Sequence, residues 1–248
     1  FLTKNAGIQT FTLLILRRIK FFTLVSFLIP FESALGETRV SATPETVKKF
    51  LDLGCKVIIE KGAGESAGFL DNSYLDAGAE LVERENNEVK KYVDIVLCVQ
   101  PPNEKFLSFL KSGCFLVGLL NPYGNKELAE KLKAQKISAI SLELLPRISR
   151  AQSSDALSSQ ANIAGYKSVL LAASALDRYF PMLMTAAGTI QPSKVVVLGA
   201  GVAGLQAIAT AKRLGAVVYV SDIREAVKEQ VESLGARFIE LPKINETP

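Results

Sequence analysis

The clearest chemistry in this chain lies in six consecutive residues, Gly199-Ala200-Gly201-Val202-Ala203-Gly204. They follow directly on a β-branched strand, Lys194–Leu198, and lead into a helix-forming stretch at 202–214. Glycines at the first, third and sixth positions suit a strand-to-helix turn that cradles a pyrophosphate. Gly199 permits the sharp turn, Gly201 lets the backbone approach the phosphates, and Gly204 lets the helix pack closely on the sheet. The helix start adds free N–H groups and partial positive charge. A second strand, Val217–Ser221, ends at Asp222, 18 residues beyond Gly204. A carboxylate there accepts hydrogen bonds from both hydroxyls of an adenosine ribose and repels a 2′-phosphate, which favours NAD over NADP. Arg224, next to Ile223, is chemically able to receive that phosphate, so this region alone leaves the cofactor's 2′ position open. The plainer alternative is a glycine-rich turn that binds nothing. It would require strand, triplet, helix, strand and acid to be in register by accident.

A second polar cluster is Pro146-Arg147-Ile148-Ser149-Arg150-Ala151-Gln152-Ser153-Ser154-Asp155. It places two guanidinium groups, an amide, a carboxylate and several hydroxyls directly after an apolar run. Loops at the carboxyl ends of strands are where substrate-facing groups are expected. Composition alone leaves a second reading open, in which the stretch is a solvated connector whose Asp155 caps the next helix.

Other chemistries are excluded by what the chain lacks. It contains no histidine, so no imidazole base or histidine metal ligand is available within it, and no metal site is expected. Its three cysteines, Cys55, Cys98 and Cys114, have no close-paired spacing and sit in or beside apolar runs. Buried, reduced thiols in a reducing compartment are expected. The formal charge is +4, but Lys4, Arg17, Arg18 and Lys20 precede the first acidic residue, Glu32, and the remainder is neutral. The charge pattern therefore gives no footprint for nucleic acid. Residues 11–31 are apolar but interrupted by Arg17-Arg18-Ile19-Lys20. Neither half reaches the roughly 20 apolar residues of a membrane span. Residues 22–29 are read as the first buried strand and 1–21 as an extension of uncertain status.

The elements that must position these groups alternate between helix and strand. Thr43-Pro44-Glu45 opens a helix with a capping hydroxyl and a proline at its first position. Strand Lys56–Glu60 follows, then apolar runs at 94–99, 114–120 and 137–145, with amphipathic stretches at 103–111 and 126–136 between them. Short, nearly continuous apolar strands between helices indicate a parallel sheet covered on both faces. Leu53-Gly54-Cys55, Leu214-Gly215-Ala216 and Leu234-Gly235-Ala236 recur as helix-to-strand junctions. The expected fold class is α/β, with two doubly wound, Rossmann-like domains and a cofactor cleft between them. The N-terminal domain covers 22–145 and the nucleotide-binding domain 193–248. Residues 146–192, with a helix at about 155–176, join them.

Residues 147–162, RISRAQSSDALSSQAN, and 184–188, MTAAG, closely resemble the NAD-binding component, domain I, of proton-translocating nicotinamide nucleotide transhydrogenases. The likeness begins at Glu37-Thr38-Arg39-Val40-Ser41-Ala42-Thr43-Pro44 and runs to the end of the chain. The family's loop is named for an arginine, a glutamine and an aspartate around the nicotinamide, which match Arg147, Gln152 and Asp155, with Ser158 close by. The resemblance implies NAD(H) on this chain and NADP(H) on a partner component. Hydride would pass directly between them, coupled to proton movement through membrane subunits or domains. It further implies a homodimer, peripheral on the cytoplasmic side of a bacterial inner membrane. Cofactor contacts are expected from Arg147, Ile148, Ser149, Gln152, Ser153, Ser154, Asp155 and Ser158. They are also expected from Gly199, Ala200, Gly201, Val202, Gly204, Asp222, Ile223 and Arg224. Such a transfer needs no protein proton donor, so a site without histidine is no handicap. The alternative is a soluble alanine dehydrogenase-like enzyme, a family with an arginine at the position of Arg39. That family uses a histidine and a lysine in its substrate pocket, and this chain has no histidine. Two departures stand out. Pro30-Phe31-Glu32 replaces the family's Pro-Lys-Glu, and the sequence ends at Pro248 soon after a third strand at 237–241. The second domain is accordingly expected to be truncated, with half a nucleotide-binding sheet.

Overall fold

The computed structural model describes residues 24–240. The expected extension at 1–21, the first two residues of the strand expected at 22–29, and residues 241–248 lie outside them. One compact unit runs to Ala156 and a second begins at Leu157.

The first unit is built on six parallel strands. These are β1 (Ser26–Ile29), β2 (Lys56–Glu60), β3 (Glu80–Val82), β4 (Ile95–Leu97), β5 (Phe115–Gly118) and β6 (Ser138–Ser141). They lie in the order β3-β2-β1-β4-β5-β6, and every pairing is parallel. This is the doubly wound arrangement, with its reversal between β1 and β4. The intervening helices are α1 (Pro44–Asp52), α2 (Asp71–Asp76), α3 (Asn87–Lys90), α4 (Glu104–Ser108) and α5 (Lys126–Ala134).

Residue parity explains why the strands read as unbroken apolar runs. Phe27, Ile29, Val57, Ile59, Ile95, Leu97 and Val117 join Val47 and Phe50 of α1 and Tyr74 of α2 in one core. Leu28, Ile58, Val96 and Leu116 join Leu107 of α4 and Leu128 and Leu132 of α5 in another. Successive side chains point to opposite faces, and both faces are covered, so neither parity can be polar. Phe27 stacks on Phe50 with centroids 4.7 Å apart. The start of α1 is fixed by Thr43, whose hydroxyl accepts the Thr46 N–H at 3.3 Å. Cys55, Cys98 and Cys114 are free and buried.

The second unit contains α6 (Ala156–Ala175, entering from the first unit's last residue), β9 (Lys194–Leu198), α7 (Val202–Arg213), β10 (Val217–Ser221), α8 (Lys228–Ser233) and β11 (Arg237–Phe238). Its three strands are parallel in the order β11-β10-β9. Val169 of α6, Ile208 and Ala211 of α7 and Val218 and Val220 of β10 form its core. A small antiparallel hairpin, β7 (Leu183–Thr185) and β8 (Gly188–Ile190), lies within the stretch expected only to join the domains. The recurrent Leu-Gly junctions behave as one device. Gly54, Gly215 and Gly235 all take positive φ, 77°, 88° and 76°, as a helix-closing glycine does.

Candidate functional site

In the second unit the parallel register sets Leu198 opposite Ser221, so the turn after β9 and the acid after β10 arrive side by side. Gly199 donates its N–H to the Ser221 carbonyl at 2.8 Å and adopts φ +92°, a conformation that disfavours any side chain. Asp222 Oδ2 accepts the Ala200 N–H at 2.7 Å, tying the acid to the turn. Gly204 faces the turn so closely that a Cβ there would lie 1.8 Å from the Gly199 carbonyl oxygen. Gly201, just before α7, is extended (φ −76°, ψ −170°), and a Cβ built on it meets nothing within 4 Å. One glycine is thus required by backbone conformation and one by packing, while the third opens the turn outward. Val202 and Ile223 flank it as exposed apolar side chains, Ile223 at 93%.

Arg224 closes over Asp222. Its Nε lies 3.0 Å from Oδ1, its Nη2 2.9 Å from Oδ2, and its backbone N–H donates to Oδ1 at 2.8 Å. The Arg224 guanidinium first, and then the Ala200 N–H, hold the Asp222 carboxyl well below the usual carboxylate range.

In the first unit the polar loop leaves the sheet after β6. Leu142 is buried, Leu145 packs against the core, and residues Ser149–Ser154 form a 3-10 turn. Arg147, Ile148, Ser149, Gln152 and Ser153 are exposed, Asp155 and Ser158 are half-buried, and Ser154 is buried. The loop belongs to the first unit and the glycine turn to the second.

Several polar groups had escaped the sequence reading. Three glutamates stitch neighbouring loops at the carboxyl edge of the six-stranded sheet. Glu60, ending β2, accepts the Phe31 N–H at 2.9 Å. Glu32, after β1, accepts the N–H groups of Val99 and Gln100 beyond β4. Glu143, after β6, accepts those of Leu120 and Asn121 beyond β5. Burial raises the Glu32 carboxyl against the opposing pull of its two backbone donors. Nearby, Glu37 takes Arg39 in a two-point ion pair (2.7 and 2.6 Å) and accepts from the Gln100 amide at 3.1 Å. The Arg39 guanidinium brings the Glu37 carboxyl down to about 2. At the β1/β4 reversal a pocket of about 250 Å³ is lined by Phe31, Glu32, Glu60, Lys90, Gln100 and Phe106 among others. Its charges largely answer one another, since buried Lys90 pairs with Glu60 at 3.2 Å and donates to the Arg84 carbonyl at 3.0 Å.

Gly165 also went unread. A Cβ on it would stand 2.1 Å from the Ala203 carbonyl oxygen, so α6 meets the first turn of α7 only because residue 165 is glycine. Its one sequence signal is a glycine inside an otherwise helical run.

Residues 28–164 match the domain described as "Alanine dehydrogenase/PNT, N-terminal domain", and residues 168–247 match "Alanine dehydrogenase/PNT, C-terminal domain". The chain belongs to the alanine dehydrogenase/PNT family. Within it, the chain is 49% identical over 216 residues to the first part of NAD(P) transhydrogenase subunit alpha of Rhodospirillum rubrum, covering 85% of this chain and 56% of that protein. A solved transhydrogenase structure from Sinorhizobium meliloti superposes with a TM-score of 0.83 at 47% identity, over 87% of this chain and 64% of that one. Alanine dehydrogenase 1 of Staphylococcus aureus is more distant, 31% identical over 81% of this chain and 54% of that protein. The chain spans about half the length of the curated relatives it matches. Among the described residues no helix is long and apolar enough to cross a membrane.

Proposed function

We propose that this chain is the NAD(H)-binding component of a nicotinamide nucleotide transhydrogenase. The observation that carries the reading is the Gly199–Gly204 turn with Asp222 bonded to it. Gly201 leaves open the space that a Cβ would fill, directly before the start of α7. That opening fits a pyrophosphate, which the N–H groups of the first turn of α7 would receive. Asp222 would take the adenosine ribose, and exposed Ile223 would lie against the adenine. Arg147, Gln152 and Asp155 would hold the nicotinamide end. When bound, the nicotinamide supplies the hydride that is exchanged with NADP⁺ on a partner component. The chain's own residues would bind and orient it, which is the protein's usual share in cofactor chemistry. The higher identity to a transhydrogenase subunit than to an alanine dehydrogenase favours this reading. With it come proton translocation through partner membrane subunits, a homodimer, and a peripheral position on the cytoplasmic face of a bacterial inner membrane.

The test mixes the full gene product with a transhydrogenase NADP-binding component and follows hydride transfer from NADH to a thio-NADP⁺ analogue. Transfer should require both components and fall at least about tenfold for Gln152→Ala or Asp155→Ala, the loss expected when a positioning contact goes. NADH formation from L-alanine and NAD⁺ without a partner would overturn the proposal in favour of a dehydrogenase.

A further inference from the structure

Asp222 has no acceptor capacity to spare. An ionised carboxylate offers about four lone-pair positions. Four donors reach this one: the Ala200 N–H, the Arg224 N–H, and Nε and Nη2 of the Arg224 side chain. The two backbone donors, one in the glycine turn and one two residues beyond Asp222, are main chain and cannot leave without unmaking the local fold. The two guanidinium donors sit on a flexible side chain that is 58% exposed, whereas the Asp222 side chain beneath is 4% exposed. A ribose diol brings two adjacent hydroxyl donors, the same number that the guanidinium withdraws.

We propose that the Arg224 side chain is a built-in occupant of the ribose site, displaced when the adenosine ribose of a dinucleotide exchanges two hydroxyls for its two N–H groups. This rests on reading the turn as a dinucleotide site. It makes Arg224 a specificity-determining residue with opposite effects on the two nicotinamide cofactors. Against a free 2′-hydroxyl it competes, because the ion pair must open before the ribose can bind. Toward a 2′-phosphate it is an asset, because the phosphate repels Asp222 and the adjacent guanidinium offsets that charge.

The test is NADH and NADPH titration, by nucleotide fluorescence, of the full gene product as wild type, Arg224→Ala and Arg224→Lys. Removing an exposed ion-pair competitor should tighten NADH binding by up to about fivefold, while NADPH binding weakens. Lysine, a point charge without the two-pronged geometry, should fall between wild type and alanine for NADH. Wild-type binding of NADH with Arg224→Ala unchanged or weaker would overturn the inference and leave the dinucleotide reading standing. Absence of NADH binding by the wild type would overturn both. Arg224→Gln carries the same comparison should the alanine variant fail to fold.

Discussion

Alanine at each glycine of the turn separates three physical requirements. At Gly204 the new Cβ would lie 1.8 Å from the Gly199 oxygen and 2.8 Å from its carbonyl carbon, where ordinary contact begins near 3.4 Å. Both obstacles are backbone, so no side-chain rotation relieves them. The turn and the first turn of α7 would have to part by more than 1 Å, and the Leu205 N–H to Gly201 carbonyl bond (2.8 Å) lies at that point. Overpacking costs about 1–3 kcal/mol where neighbours can yield, and here about 3 kcal/mol or more is expected. At Gly199 there is room for a Cβ, but φ is +92°, and left-handed backbone costs an L-residue about 1–2 kcal/mol. At Gly201 neither obstacle exists. Backbone and space accept alanine, and folding stability should stay within about 0.5 kcal/mol, the usual range for unobstructed sites. Its Cβ would instead fill the opening proposed for the pyrophosphate, and NADH affinity should drop at least about tenfold, the loss of roughly 1.4 kcal/mol of contact. Urea unfolding followed by circular dichroism, paired with NADH fluorescence titration, reads both quantities for each variant. A Gly204→Ala protein as stable as wild type would refute the packing argument. A Gly201→Ala protein binding NADH normally would refute the placement of the pyrophosphate.

Three further outcomes are expected. Phe50→Ala removes a buried ring stacked on Phe27 and should cost about 3–5 kcal/mol in denaturant unfolding. Tyr74→Phe strips the hydroxyl that donates to the Ala42 carbonyl at 2.9 Å inside the core. It should cost about 1–3 kcal/mol by leaving that oxygen unpaired, and an unchanged midpoint would mean the bond adds nothing. Glu37→Gln should lose about 1 kcal/mol at neutral pH, allowing for the solvent around Arg39. The folded-state value of Glu37 is depressed to about 2 from an ordinary 4.5. Its contribution is therefore fully present above about pH 4.5 and disappears as pH falls through 2. The stability gap between wild type and variant should close over that window, and a gap that persists at pH 2 would contradict the ion-pair assignment.

What could be read from the sequence depended on how far apart the interacting residues lie in the chain. The glycine turn was legible because strand, triplet, helix, second strand and acid all fall within residues 194–222. Five strands of the six-stranded sheet were legible because burial on both faces leaves no polar parity in β1, β2 or β4, whereas β3, three residues long with an exposed Glu80 and a half-buried Leu81, was missed. Strand ends were drawn too long. The run at 137–145 yields only Ser138–Ser141, since Leu142–Leu144 curls into a 3-10 turn where Glu143 collects the Leu120 and Asn121 N–H groups. The β7–β8 hairpin was missed because its residues are exposed on both sides and carry no alternation. The carboxylate stitches were invisible for a different reason. Glu32 and its partners Val99 and Gln100 are separated by 67 and 68 positions, and a lone acid carries no mark of a backbone donor that far away. Likewise the chemistry of Arg147, Gln152 and Asp155 came from family likeness, because composition alone fits a solvated connector equally well.

The same acids show how a ligand-binding carboxylate can be told from a structural one. Glu32 and Glu143 each accept N–H groups from a neighbouring loop. Those donors are covalently part of the chain and can be withdrawn only by unravelling the strand ends they close. Glu60 accepts one such donor, and its other oxygen faces Lys90, a buried cation already bonded to the Arg84 carbonyl. Each of the three is held chiefly by the main chain, with no exposed side-chain cation bonded to it that an incoming hydroxyl could replace. Asp222 differs in a single respect, that half of its donors belong to an exposed side chain. A carboxylate fixed by backbone on one side and covered by a removable guanidinium on the other is held in place, kept ionised, and still exchangeable. Glu37 of the first unit meets the same criterion, since the Arg39 side chain, 36% exposed, covers it through Nε and Nη2. What sets Asp222 apart is its bond to the Ala200 N–H of the glycine turn, where the ribose is proposed to bind.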